Sequence, residues 1–208
     1  MIRVKFLGGT PFLRRRVRKI APEWFRHCNL KLVFVTKGPA EVRIDFQPGG
    51  RGALLGRESL THSLDPVTLK SYASNSGITL NFGGLTDKSP SVEIRGLILH
   101  EFGHVLGLVH EHQHPGAGIA WQRDSVYAYY ARLGWSREAV DEDVLNPQIS
   151  VGTHYMAYDR LSIMHYPIPP ELLTDSSQVV AWPDKLSASD IAFVRSAYPS
   201  SSSVIVSQ

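Results

Sequence analysis

The run HEFGHVLGLVHEH at positions 100–112 sets four histidines and two glutamates inside a stretch that is otherwise apolar. Ile98, Phe102, Val105 and Val109 fall on one helical stripe, which Leu99 and Leu106 widen. A helix that is apolar on most sides is a buried one. Imidazoles on such a helix need partners, because a buried polar group left unsatisfied costs about 1–3 kcal/mol. Whatever this chain folds into must therefore place something at those nitrogens.

The spacing says what that something is. His100 and His104 are four residues apart, so on a helix they project from one face, a turn apart. Their nitrogens can then share one ion at zinc-ligand distances. Glu101 points about 100° round the helix, beside the ion rather than onto it, where it can take a proton from water. Gly107 is expected to end the helix, since glycine tolerates the left-handed conformation that redirects the chain. That break lets His110 swing back as a third ligand. Three neutral nitrogens leave an open position for water, which is the layout of a catalytic zinc centre holding one ion per chain. The string H-E-x-x-H-x-x-G-x-x-H fixes five positions and is far more restrictive than HExxH alone. His112 and His114 follow in a loop and are read as surface groups or supports for the ligands. His27, His62 and His154 have no partner spacing and are expected to be exposed or satisfied.

A second cue lies in RLSIMHYPIP, where Met164 sits in a short turn after a long irregular segment. A methionine there can form an apolar floor under a metal site. Two residues on, the phenol of Tyr166 can coordinate zinc or donate to an oxyanion.

Composition narrows the class. The chain has 208 residues, 43% hydrophobic and 20% charged, which fits one soluble globular domain without internal repeats. No apolar run approaches membrane-spanning length, and MIRVKFLGGTPFLRRR has too short an apolar core for a secretory signal. The chain is expected either to be made without a signal or to be a mature domain whose leader and pro-segment are absent, and export is favoured. Cys28 is the single cysteine, so no internal disulfide forms, and its apolar neighbours predict a buried structural thiol. The net charge of +3 owes much to RRRVRK at 14–19. Because Leu13, Val17, Ile20 and Trp24 form a helical stripe, those cations fall on a solvated face. A nucleic-acid partner is not expected.

IRVKFL reads as a first strand by alternation, and Thr10 with Pro11 opens a basic amphipathic helix that Pro22 kinks or restarts. LKLVFV (30–35), EVRIDF (41–46), GALLG (52–56) and ITLNFG (78–83) are strand candidates. The histidine helix begins near Ser89–Pro90. Beyond Pro115, Asp124 and Ser136 are expected to cap two short helices. Residues 146–185 read as mostly irregular, and Ser187 with Asp190 caps a closing helix.

HEFGHVLGLVHEHQHP and SIMHY together resemble the astacin-like family of metzincin zinc metallopeptidases. Glu111 directly after the third histidine and the tyrosine in the methionine turn carry the likeness, and weaker similarity runs from the first strand to LSASDIAFVRSAYP. The resemblance implies an α+β, zincin-like fold: a twisted, mixed and mostly parallel five-stranded sheet, an active-site helix and an irregular C-terminal lobe, with a cleft between lobes. It implies a single catalytic domain over 1–200, with lobes 1–108 and 109–200, and a tail at 201–208. It implies a zinc-dependent endopeptidase acting on protein or peptide substrates, without a membrane partner and as a monomer. His100, His104 and His110 become the zinc ligands, Glu101 the general base, Tyr166 a switchable fifth ligand and oxyanion stabiliser, and Met164 the turn methionine. GALLG falls where the family's antiparallel edge strand pairs with extended substrate. The chain departs in two ways. It cannot form the two disulfides usual in animal members, and so is more similar to cysteine-poor microbial ones. Met1 leads almost directly into a strand, so whether Glu111 meets a buried N-terminus, as after zymogen cleavage in the family, stays open. The alternative is a catalytically inactive zinc-binding interaction module.

Overall fold

Parallel strands need long crossovers, and the first one here is helical. The computed structural model describes residues 1–148 and 156–200. His154, part of the irregular 146–185 segment and the expected tail at 201–208 lie outside the described residues. The chain divides into two compact units, Met1–Val109 with the segment from Asp184 on, and His110–Pro183.

In the first unit, β1 (Ile2–Phe6) leads through α1 (Pro11–Ile20) and α2 (Pro22–Phe25) to β2 (Leu32–Phe34). Then come β3 (Val42–Asp45), β4 (Arg51–Ala53), β5 (His62–Leu64), β6 (Ser71–Ala73) and β7 (Leu80–Phe82). The main sheet has the order β2-β1-β3-β7-β4. Its first four strands pair in parallel, and β4 runs antiparallel to β7 at the edge. The mixed five-stranded sheet is thus the expected one. Its core is Val4, Val42, Ile44, Leu80 and Phe82, all fully buried. Thr10 caps α1 by accepting the Leu13 N–H at 3.2 Å, and Leu13, Val17 and Ile20 form its buried face. Part of the basic run is spent on aromatic faces: the Arg18 guanidinium lies 5.1 Å from the Phe6 ring and 4.7 Å from the Phe34 ring.

Several expectations need correction. GALLG is strand only at its start, because Gly56 turns left-handed (φ 51°) into a 3-10 turn over Gly56–Leu60. The hairpin β5–β6 was not anticipated, since three-residue strands with an exposed SYA segment carry no alternation to read. Cys28 is half-buried rather than buried, because it falls in the bend after α2 and not on a strand. His62 shares a 2.9 Å hydrogen bond with Thr61 Oγ1.

The histidine helix is α3 (Ser91–Val105). In the second unit, α4 (Arg123–Ala131) starts a residue before Asp124, which therefore lies in the first turn with Gln122 at the cap. Its carboxylate still favours the positive end of the helix dipole. Ser136 caps α5 (Arg137–Val140) as expected, and a π-turn over Asp141–Leu145 follows. This unit closes on Val126, Val140, Val144, Ile168, Leu172 and Val180. The last helix, α6 (Ala188–Ala197), carries a full capping box between Ser187 and Asp190. No described helix is long and apolar enough to cross a membrane.

The short hairpin is tied to the sheet by one cation. Arg43, 5% exposed on β3, donates to the carbonyls of Ala40 (3.1 Å), Ser59 (3.2 Å), His62 (2.9 Å) and Gly77. Its hydrogen-bond acceptors are uncharged, these carbonyls and the Ser63 hydroxyl at 3.4 Å, so peptide dipoles do most of the holding. Arg43→Leu would strand several buried carbonyls at once, and each unsatisfied group costs about 1–3 kcal/mol. We expect a loss of about 3 kcal/mol or more in urea-unfolding stability, whereas Lys19→Leu on the solvated face of α1 should stay within about 0.5 kcal/mol.

Candidate metal centre

Helix α3 is clamped before it presents anything. The Trp24 indole N–H donates to the Leu99 carbonyl at 2.8 Å from a fully buried position. Arg95 grips both oxygens of Glu23 at 2.6 and 2.7 Å, and Arg51 bridges to Glu93 at 2.7 Å. At the far end Gly107 adopts φ 90°. Its N–H reaches the His104 carbonyl at 2.8 Å, and the Leu108 N–H reaches back to Gly103 at 3.0 Å. This pair of bonds is the Schellman closure, which a left-handed residue makes possible. The Leu106 carbonyl is taken by the Tyr198 hydroxyl at 2.8 Å.

The His100 and His104 rings stand edge to face, centroids 4.9 Å apart. His104 Nδ1 donates to the Leu108 carbonyl at 2.8 Å, which puts the lone pair on Nε2. Burial holds this imidazole down to about 4, so it stays neutral. One ligand atom from each of His100, His104 and His110 falls within 4.8 Å of the others. Glu101 is 3% exposed, and its Oε2 has no hydrogen-bond partner. Burial pushes its carboxyl up to about 8, against a smaller lowering by Arg51. An ion among the histidines would favour the carboxylate through its charge. Imidazole nitrogens in a tight group, beside a carboxylate oxygen with no hydrogen-bond partner among the described residues, fit a divalent cation, and such donors suit zinc.

The methionine turn is built in the second unit. The Glu111 N–H donates to the Met164 carbonyl at 3.0 Å, and Glu111 Oε1 accepts the Asp159 N–H at 2.8 Å. Ser162 Oγ accepts the Met164 N–H at 3.0 Å, and Met164 is 1% exposed. Tyr166 is half-buried, its ring centroid 4.4 Å from that of His110 and 4.2 Å from that of His112. The surface reading of His112 is overturned: it is 3% exposed, stacks on Tyr166 at 21°, and donates from Nε2 to the Asp143 carbonyl at 3.0 Å. The fold of the 3-10 turn Glu111–Gln113 against the π-turn buries it, a long-range contact without local signature. Burial holds it neutral, down to about 3. His114 is satisfied, accepting the Gly116 N–H and donating to the Met156 carbonyl at 2.9 Å each.

Two residues near this turn escaped the sequence reading. His165, 1% exposed, donates from Nδ1 to the Tyr166 carbonyl at 2.7 Å and accepts the Tyr158 hydroxyl at Nε2, 2.9 Å away. Its place inside SIMHY was the available signal. Tyr158, in the irregular segment, had none.

No family model matches the chain. The zinc metalloproteinase nas-38 of Caenorhabditis elegans is 27% identical over 167 residues, which are 77% of this chain, and the chain spans 18% of the length of that relative. A solved structure of myroilysin superposes with a TM-score of 0.84 at 37% identity, covering 96% of this chain and 92% of that one. A second, a crystal structure of myroilysin, gives 0.70 at 36% identity over 96% and 83%. High choriolytic enzyme 1, a hatching enzyme zinc-protease from the medaka fish Oryzias latipes, gives 0.51 at 14% over 93% and 87%, a likeness of fold alone. With a mixed five-stranded sheet, a metal-ready histidine group and a myroilysin relative matched over nearly its full length, the chain belongs to the astacin-like zinc metalloendopeptidases of the metzincin clan.

Proposed function

We propose that this chain hydrolyses internal peptide bonds of protein or peptide substrates, with residues 1–200 acting as one catalytic domain that holds one zinc ion. The observation that carries the reading is the histidine group set beside the buried, unpartnered Oε2 of Glu101. His100, His104 and His110 would hold the ion through one nitrogen each, with Tyr166 as a displaceable further ligand. Zinc bound there supplies a Lewis acid for the scissile carbonyl and lowers the pKa of water.

The rest of the chemistry falls to side chains. Glu101 takes the proton of the attacking water and later passes it to the leaving amine. Its hydrophobic burial makes it a stronger base than an exposed carboxylate, while Arg51 works against full neutralisation. Tyr166, once displaced by substrate, donates its hydroxyl hydrogen bond to the oxyanion of the tetrahedral intermediate, an interaction made mainly in the transition state. Substrate binds extended along β4, which sits at the end of the sheet order and pairs only with β7 among the described residues. Gly107 shapes the loop that delivers His110, Met164 floors the turn, and Glu111 fastens that turn to the third histidine.

Three outcomes test this reading. Purified protein should carry close to one zinc per chain by metal analysis, and His104→Ala should lose most of it, because two ligands cannot hold the ion against exchange. Full zinc in that variant would put the site elsewhere. Glu101→Gln keeps the shape but cannot accept a proton, so peptide hydrolysis should nearly vanish with zinc retained. Substantial residual turnover would remove Glu101 as the base. Tyr166→Phe should lower kcat about ten- to a thousandfold with KM and zinc little changed, as for other oxyanion donors. An unchanged kcat with a lowered melting temperature would make Tyr166 a packing residue only.

A further inference from the structure

Tyr166 can act as described only if its ring is held in one pose yet remains free to leave it. Its backbone is fixed by His165, which donates to its carbonyl. Its ring lies against two imidazoles, His110 on one contact and His112 on the other. Of these, His112 is the one with no part in the ligand set, and it is immobilised. Its Nε2 donates to the Asp143 carbonyl at 3.0 Å, and its neighbour Gln113 donates from Nε2 to the Glu142 and Asn146 carbonyls at 2.7 and 3.0 Å. Both side chains thus take carbonyls in or next to the π-turn Asp141–Leu145, whose Val144 and Leu145 are sunk in the core of the second unit. A π-turn leaves backbone groups out of the ordinary helical pattern, and such turns recur at functional sites.

Packing alone does not ask for an imidazole at this place. His112 Nδ1 is buried without a hydrogen-bond partner, an energetic cost that a phenyl ring of similar size would avoid. The imidazole presents a flat face to Tyr166 and also anchors that face to the backbone of the π-turn; a phenyl would keep the face without the anchor, and an amide the anchor without the face. We propose that His112 is a positioning residue for Tyr166: the near-parallel stack, 4.2 Å between centroids at 21°, sets the resting pose of the phenol ring from which it is displaced and to which it returns. The inference rests on the reading of Tyr166 as the oxyanion donor, and His112 itself touches neither substrate nor ion.

The experiment separates the two ideas. His112→Gln keeps a donor for the Asp143 carbonyl but removes the ring, and His112→Phe keeps a ring but removes the anchor. With protein and zinc at full occupancy, His112→Gln should lower kcat about three- to tenfold at little-changed KM, the range expected from losing one aromatic stack. His112→Phe should recover most of that loss. Added to Tyr166→Phe, the Gln substitution should cost almost nothing further, because its effect passes through the missing hydroxyl. A second readout needs no activity. In zinc-free protein labelled with 3-fluorotyrosine, the Tyr166 fluorine resonance, identified by its absence in Tyr166→Phe, should shift in His112→Gln and stay close to its original position in His112→Phe. The other tyrosines act as internal controls. Multiplicative losses in the double variant, or a Tyr166 resonance unmoved by His112→Gln, would overturn the inference while leaving the function intact. An unchanged kcat in Tyr166→Phe would instead overturn the oxyanion role, and with it the purpose assigned to His112. Should His112→Gln fail to fold by its melting curve, a normal kcat and an unshifted resonance in His112→Ala would overturn the inference equally.

Discussion

A helix buried on nearly every side has to end inside protein, and its last carbonyls must find donors there. At the end of α3 three carbonyls are answered locally or by a distant hydroxyl: Gly103 by Leu108, His104 by Gly107, Leu106 by Tyr198. The left-handed turn at Gly107 makes the first two possible. The same turn brings the Leu108 carbonyl back onto His104 Nδ1, and so fixes which nitrogen of that ring carries the lone pair. Termination of the helix and the choice of the His104 tautomer are a single event of backbone geometry.

Two buried ionisable groups illustrate opposite solutions to the same cost. Arg43 is saturated with hydrogen-bond partners and ties the 3-10 turn at Ser59 and the strand β5 at His62 to the main sheet. Glu101 keeps one oxygen with no hydrogen-bond partner among the described residues. Full satisfaction suits a structural joint, because nothing remains to react with. Incomplete satisfaction suits a group that is to receive a proton, because the open lone pair is where the proton goes. The difference in their surroundings, rather than their charge, separates the structural joint at Arg43 from the role proposed for Glu101.

What could be read in advance was what local chemistry controls. Thr10, Ser136 and the Ser187–Asp190 box were legible because a cap acts within three residues. The grouping of His100, His104 and His110 was legible because helical pitch and one glycine determine it. The β5–β6 hairpin was not, since its strands are too short for a periodicity and are held by an arginine about twenty positions away. Of the two readings of His112, the surface one fails for a related reason: its burial is imposed by the π-turn thirty-one residues on, and nothing in the HEHQHP segment encodes that partner. The cap lies two positions before Asp124 because an acidic residue favours both a cap and a first turn.

Sequence separation gives the ligand-bearing helix a history as well as a geometry. Trp24, which anchors its middle, precedes Leu99 by 75 residues, so it has left the ribosome long before the helix does. Tyr198, which answers the Leu106 carbonyl, follows by 92. Between those two moments the helix can dock on the sheet while its C-terminal carbonyl still faces water. The end that carries His104 is therefore the last part of α3 to be sealed during synthesis. Closure of the helix end that carries His104 thus waits for a residue 92 positions beyond the carbonyl it answers.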